Sequence, residues 1–208
     1  NYWRYFFMQQ LKNIVFDFGG VLIDWNPRYL YRKVFKTEEE MDFFLQNVCK
    51  YEWNLLQDAG RSLDEATRVL QEEYPEYKEE IGMYYGCWEE MLGGLFEDNV
   101  KLIRPLKAKY KVYGLTNWSA ETLPIALRKY DFFKLFDGIV VSGEEKLVKP
   151  DPRLYRILLD RYNLKDEETL LIDDNAENIK TAKELGFKTV HLTPEVNLEE
   201  TLKTMKVL

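Results

Sequence analysis

The stretch Asn13-Ile14-Val15-Phe16-Asp17-Phe18-Gly19-Gly20-Val21-Leu22 decides how this chain is read. A short apolar run reads as a buried strand, and the Gly pair closes it in a tight turn. Asp17 therefore falls at the carboxyl end of a strand, the edge where open α/β sheets bind their ligands. A carboxylate there is costly unless something pairs with it. Far downstream, Leu171-Ile172-Asp173-Asp174-Asn175 repeats the arrangement, an apolar run ending in acids. Two strand ends that carry carboxylates point to a divalent metal site, because hard cations such as Mg²⁺ take oxygen ligands.

Strands are expected at residues 13–18, 111–115, 138–141, 169–172 and 188–192, with helical stretches between most of them. Strand alternating with helix implies an α/β fold, a parallel sheet with helices on both faces. Leu154, Ile157, Leu158 and Tyr162 have amphipathic helical spacing, as do Ile179, Ala182 and Leu185, with Gly186 as a C-cap. One interval breaks the alternation. Between the first strand and Lys111 lie roughly ninety residues with no strand signal. Helices are expected there at 28–35, 38–49, 63–73 and 78–91, two of them opened by capping-box spacings, Thr37 with Glu40 and Ser62 with Glu65. The segment 24–95 is thus expected to be a helical insertion, and 97–109 the first crossover helix, kinked or started late by Pro105.

A chain of 208 residues is long enough for one core plus an inserted subdomain. Its 46% hydrophobic and 15% aromatic content excludes a disordered chain. A formal net charge of −7 argues against nucleic acid as the main partner, while leaving room for a small anionic substrate if a metal inverts the local charge. Cys49 and Cys87 are too few for a disulfide framework, which favours a reduced, cytoplasmic setting. No apolar run approaches the length of a membrane span. Asn1 to Phe7 are aromatic but too short for a signal peptide, so either Met8 starts the protein or these residues pack on a surface. The pattern leaves the oligomeric state open.

Four segments end at the same edge of the expected sheet. They supply Asp17; Thr116 and Asn117; Ser142-Gly143 followed by Lys149-Pro150; and Asp173-Asp174. A nucleophilic carboxylate, neutral donors, a cation and metal-binding acids form a set suited to phosphoryl transfer. Asp17 would attack phosphorus to form an aspartyl-phosphate. Thr116 and Lys149 would hold the phosphoryl oxygens.

With these residues the chain resembles the haloacid dehalogenase (HAD) superfamily, whose four motifs occur here in order: Asp17-Phe18-Gly19-Gly20-Val21-Leu22, Thr116-Asn117, Lys149-Pro150, and Asp173-Asp174 with Asn178. The resemblance spans Lys12 to Leu192. It implies a Rossmann-like core at 9–23 and 96–208, a helical cap at 24–95 and a leading extension at 1–8. It also implies Mg²⁺ held by Asp17, the Gly19 carbonyl and Asp174, with Asp173 behind them. Asp17, Thr116 and Lys149 would be catalytic, and Thr116, Asn117, Lys149 and Trp118 would contact a small phosphorylated metabolite. A sugar phosphate would suit members that carry Gly in the first motif.

One departure matters. Most phosphatases of the family place a second Asp two residues after the nucleophile, and here that residue is Gly19. General acid/base catalysis, worth ~10²–10⁴-fold, then lacks an owner unless Asp24 or a residue of the cap substitutes, or a good leaving group needs less help. Dehalogenases of the superfamily also lack that Asp and work without metal, but they usually place Ser and Asn where this chain has Asp173 and Asp174. Adjacent carboxylates repel without a cation, which favours the phosphatase. A binding protein that has lost turnover is the third reading.

The ordinary roles are weighed as well. Asp24 is read as a cap of the next helix rather than a catalyst. His191, the single histidine, is read as structural. Asn178 is read as bonding its own loop. Trp25, Trp53 and Trp118 have the ring area to line a pocket, with Trp118 favoured by its place after Asn117. Arg28 and Arg61 are candidate substrate contacts from the insertion.

Overall fold

The computed structural model describes residues 11–208, so the leading extension lies outside the described residues. Five strands form one parallel sheet: β1 (Asn13–Phe16), β4 (Lys111–Thr116), β5 (Gly138–Val141), β6 (Thr169–Asp173) and β7 (Lys188–His191). Their order is β5-β4-β1-β6-β7. β1 is central, with Phe16 in register with Gly114 on one side and Ile172 on the other. The chain leaves β1 for strands on either flank, so the switch in strand order opens a crevice beyond its carboxyl end.

Alternation along β1 explains the two cores. Ile14 and Phe16 join one apolar cluster, while Val15 between them joins the other with Leu115, Val140 and Leu171. Both faces are covered by helices: α6 (Glu97–Val100), α7 (Ile103–Lys107), α8 (Leu123–Lys129), α9 (Ser142–Glu145), α10 (Pro152–Tyr162), α11 (Ala176–Leu185) and α12 (Leu198–Thr204). Gly186 caps α11 in the left-handed region with φ 104°, as its place in the sequence suggested.

The interval after β1 holds α1 (Arg28–Tyr31), α2 (Glu38–Asn47), α3 (Tyr51–Asp58), α4 (Leu63–Glu73) and α5 (Lys78–Gly86). Both expected capping bonds form, from Glu40 N–H to Thr37 Oγ1 and from Glu65 N–H to Ser62 Oγ. The interval is not free of strands, however. β2 (Ile23–Trp25) pairs antiparallel with β3 (Leu92–Leu95). These strands are three and four residues long, and Gly93-Gly94 erases any alternation, so no periodic signal marked them. Their pairing makes the helical segment leave and re-enter the core at one place. Helix α3 was also missed. Its buried side chains are Trp53, Asn54 and Gln57, and two amides on an inward face blur the apolar spacing.

The single helix expected at 97–109 is instead two, α6 and α7. Pro105 is the third residue of α7, where its missing N–H falls among first-turn donors that need no intrahelical acceptor. Helix α1 closes after Tyr31, short of residue 35, and α5 gives way to a 3₁₀ turn at Trp88–Met91. No helix of the described residues is long and apolar enough to cross a membrane.

Candidate active site

β1 ends at Phe16, and Asp17 begins the turn, its N–H donating to Ile172 O at 2.9 Å. This bond continues the ladder one step beyond β1 and fixes the Asp17 backbone beside β6. The Asp17 carboxylate is buried and takes Lys149 Nζ at 3.0 Å. The same ammonium reaches Asp173 Oδ2 at 2.7 Å and Leu115 O at 2.8 Å, with 1% of its side chain exposed. Lys149 is in turn held by its own backbone: Asn117 Nδ2 donates to Lys149 O at 3.0 Å, and Lys149 N–H donates to Asn117 Oδ1 at 2.8 Å. The loops after β4 and before α10 are thus tied by one amide side chain.

Asp173 is saturated. Besides Lys149 it takes Asn178 Nδ2 at 3.2 Å and Asn175 N–H at 2.9 Å. Asp174 turns the other way, toward Gly20, whose φ of 80° only glycine adopts without strain. A Cβ at Gly20 would lie 2.2 Å from Asp174 Oδ2, so the first loop passes close over that carboxylate. Oxygens of Asp17, Asp173 and Asp174 lie within 4.8 Å of one another.

The electrostatics follow from this crowding. Burial raises the Asp17 carboxyl well above its ordinary value; Asp173 and Asp174 raise it further, while Lys149 lowers it. Burial alone would lower the Lys149 ammonium, but Asp17 and Asp173 outweigh that and raise it. Asp174 is raised by burial and then by Asp173. Three carboxylates thus face one ammonium, an arrangement whose excess negative charge a divalent cation offsets.

A cavity of about 370 Å³ opens over these groups, between the sheet edge and α3. Asp17, Gly19, Lys149 and Asp174 form its floor, and Asn117 and Trp118 one wall. Thr116 ends β4 and is 1% exposed, outside that wall. Of the tryptophans weighed in the sequence, Trp25 and Trp118 border the cavity. Trp53 packs instead on Tyr84 and Tyr85 of α5. Sequence reasoning missed the far wall, Tyr51, Asn54 and Asp58, because it missed α3. Helix α3 is locked to the core by Ser142, whose Oγ accepts Trp118 N–H at 2.8 Å and donates to Asp58 O at 2.6 Å.

The lesser candidates fall elsewhere. Asp24 caps no helix; its Oδ2 accepts Tyr29 O–H at 2.7 Å, and the residue before α1 is Pro27, which makes no capping bond. Arg28 pairs with Asp42 and Glu38, and Arg61 Nε donates to Gln57 Oε1, so neither guanidinium joins the cavity wall. His191 ends β7 with Nε2 3.0 Å from Asp174 O, bracing the acid loop.

The profile of the haloacid dehalogenase-like hydrolases matches residues 11–186. The chain belongs to that family. It is therefore an enzyme of the hydrolase class. A sesquiterpene phosphatase of Aspergillus oryzae is 28% identical, over 88% of this chain and 90% of its own. An (S)-2-haloacid dehalogenase of Burkholderia cepacia is 26% identical, over 93% of this chain and 87% of its own. A solved HAD family enzyme from Bacteroides thetaiotaomicron, in complex with magnesium and inorganic phosphate, shares the fold with a TM-score of 0.73 at 24% identity, covering 92% of this chain and 98% of its own. This hydrolase thus resembles phosphatases and dehalogenases alike, and the choice between them rests on the site.

Proposed function

We propose that this hydrolase is a Mg²⁺-dependent phosphatase of small phosphorylated metabolites that works through an aspartyl-phosphate on Asp17. The observation that carries the reading is the cluster of Asp17, Asp173 and Asp174, three carboxylates within 4.8 Å against the single ammonium of Lys149. Asp17, Asp174 and the Gly19 carbonyl would hold the ion, with Asp173, already committed to Lys149 and Asn178, steadying the site behind them. When bound, Mg²⁺ offsets the repulsion between a carboxylate and an anionic phosphate.

The remaining work falls to the chain itself. Asp17 supplies the attacking oxygen. Lys149, held in place by Asn117, balances charge on the phosphoryl oxygens. Trp118 and the wall formed by α3 surround the leaving group. The helices 28–86 act as a cap that limits access of water. Two free thiols, Cys49 and Cys87, suit a cytoplasmic setting.

The metal-independent dehalogenase is disfavoured by the same cluster, because the adjacent acids Asp173 and Asp174 repel unless a cation joins them. Phosphate release from a panel of phosphorylated metabolites, and halide release from 2-haloacids, tests the choice with and without a chelator. Phosphate release abolished by the chelator supports the phosphatase. Halide release indifferent to the chelator overturns it, and binding of phosphate without any release points to a binding protein.

A further inference from the structure

Gly19 leaves this site without the acid that would protonate a leaving group, and Asp24 does not replace it. The Asp24 carboxylate accepts Tyr29 O–H at 2.7 Å and lies outside the cavity wall. Among the described residues, five titratable side chains border the cavity: Asp17, Tyr51, Asp58, Lys149 and Asp174. Asp17 is the nucleophile and Asp174 the metal ligand of the proposed reaction. Lys149 is spent on Asp17 and Asp173. Burial raises the Tyr51 phenol above its ordinary value, making it a poorer proton donor near neutral pH.

Asp58 remains, and its placement is fixed from two sides. It is the last residue of α3, and its carbonyl accepts Ser142 Oγ at 2.6 Å. The backbone N–H of Ser119, in the loop that also carries Asn117 and Trp118, draws the Asp58 carboxyl down against its burial. Asp58 borders the same cavity as Asp17, Asp174 and Tyr51.

We propose that Asp58 is the general acid and base of this site, acting from α3 on the leaving oxygen opposite Asp17, a role that rests on the phosphatase reading. In the first step an Asp17 oxygen bonds to phosphorus, the bond from phosphorus to the leaving oxygen breaks, and the Asp58 proton passes to that oxygen to release an alcohol. In the second step the Asp58 carboxylate takes a proton from water as the water oxygen attacks phosphorus. Inorganic phosphate leaves, the Asp17 carboxylate is restored and Asp58 is protonated again. Burial pushes the Asp58 carboxyl up to about 7, with the Ser119 N–H pulling it down in part. Such a group is matched to proton transfer near neutral pH. The groups facing it are Tyr51 on its own helix, Tyr84 and Tyr85 on α5, and Asp17, Lys149 and Asp174 across the cavity.

The test compares wild type, Asp58→Asn and Asp58→Glu on two esters. One is an alkyl phosphate turned over by the wild type, and the other is p-nitrophenyl phosphate, whose leaving group needs no proton. Asp58→Asn is expected to lose about 10²–10³-fold in kcat/KM on the alkyl ester. On p-nitrophenyl phosphate it is expected to give a burst of about one nitrophenolate per enzyme and then slow turnover, because the first step survives and the second lacks its base. Asp58→Glu is expected to recover part of the alkyl activity. Equal losses on both esters without a burst, or no loss on either, would overturn the role. A wild type that releases phosphate from neither ester overturns the phosphatase reading beneath it.

Discussion

Lys149 Nζ lies 3.0 Å from Asp17 Oδ1 with 1% of the lysine side chain exposed. This ion pair joins the end of the central strand to a loop more than a hundred residues away in sequence, and everything else in the site is arranged around it. Asp173 completes the charge triad at 2.7 Å from the same ammonium.

Removing the ammonium leaves two buried carboxylates facing each other. Lys149→Met is expected to cost about 3–5 kcal/mol of stability at neutral pH and to abolish turnover. The sign of its pH dependence follows from Asp17. A carboxyl whose folded-state pKa is raised contributes stability at low pH and loses it as pH rises from its unfolded value, near 4, through the folded one. Without Lys149 that pKa rises further, so the deficit of the variant should shrink as pH falls from 7 to 5. Thermal melts of both proteins across that range check it.

Gly20 and Asp174 make a second prediction. Gly20→Ala puts a methyl group 2.2 Å from Asp174 Oδ2, on a backbone with φ of 80°. The carboxylate must swing away. The Mg²⁺ concentration for half-maximal activity is expected to rise about 10–100-fold, with a smaller change in substrate KM. A Mg²⁺ titration of activity reads both.

Asn117 is predicted to position rather than react. Its two bonds to the Lys149 backbone fix where the ammonium sits. Asn117→Ala is expected to lower kcat about 10²-fold, the scale of a 1 Å misplacement, and stability by ~1–3 kcal/mol. Steady-state kinetics and a chemical denaturation curve separate the two effects.

The strand ends were legible because they are apolar runs stopped by charged or polar residues. Asp17, Asn117 and Asp173 reveal themselves by interrupting Ile, Val and Leu. Asp174 joins them by adjacency, and Lys149 through its motif. The other half of the cavity was not legible. Helix α3 turns Asn54 and Gln57 inward with Trp53, so its buried face does not read as apolar. β2 and β3 are too short for a period, and Gly93-Gly94 removes side chains from the second. Arg28 and Arg61 looked available because charge in sequence carries no record of Asp42 or Gln57, the partners that the fold supplies.

Asp58 provides a prediction of stability independent of catalysis. Its carboxyl is raised to about 7 by burial, so the folded protein loses stability as pH rises from near 4 through about 7. Asp58→Asn removes that titration while keeping an acceptor for the Ser119 N–H. The variant is expected to be more stable than wild type at pH 8 by about 1–3 kcal/mol, a margin reduced by the partial exposure of the residue. The difference should vanish near pH 4. Melting temperatures at both pH values check it.

The most direct test of the account is to quench the enzyme in acid within one turnover of a phosphate ester in Mg²⁺ and map phosphorylated peptides by mass spectrometry. The account predicts one phosphoryl group, acid-stable and hydroxylamine-labile, on the peptide containing Asp17, and none when Mg²⁺ is chelated or Asp17 is changed to Asn. Rapid release of phosphate that is unaffected by Asp17→Asn would contradict it.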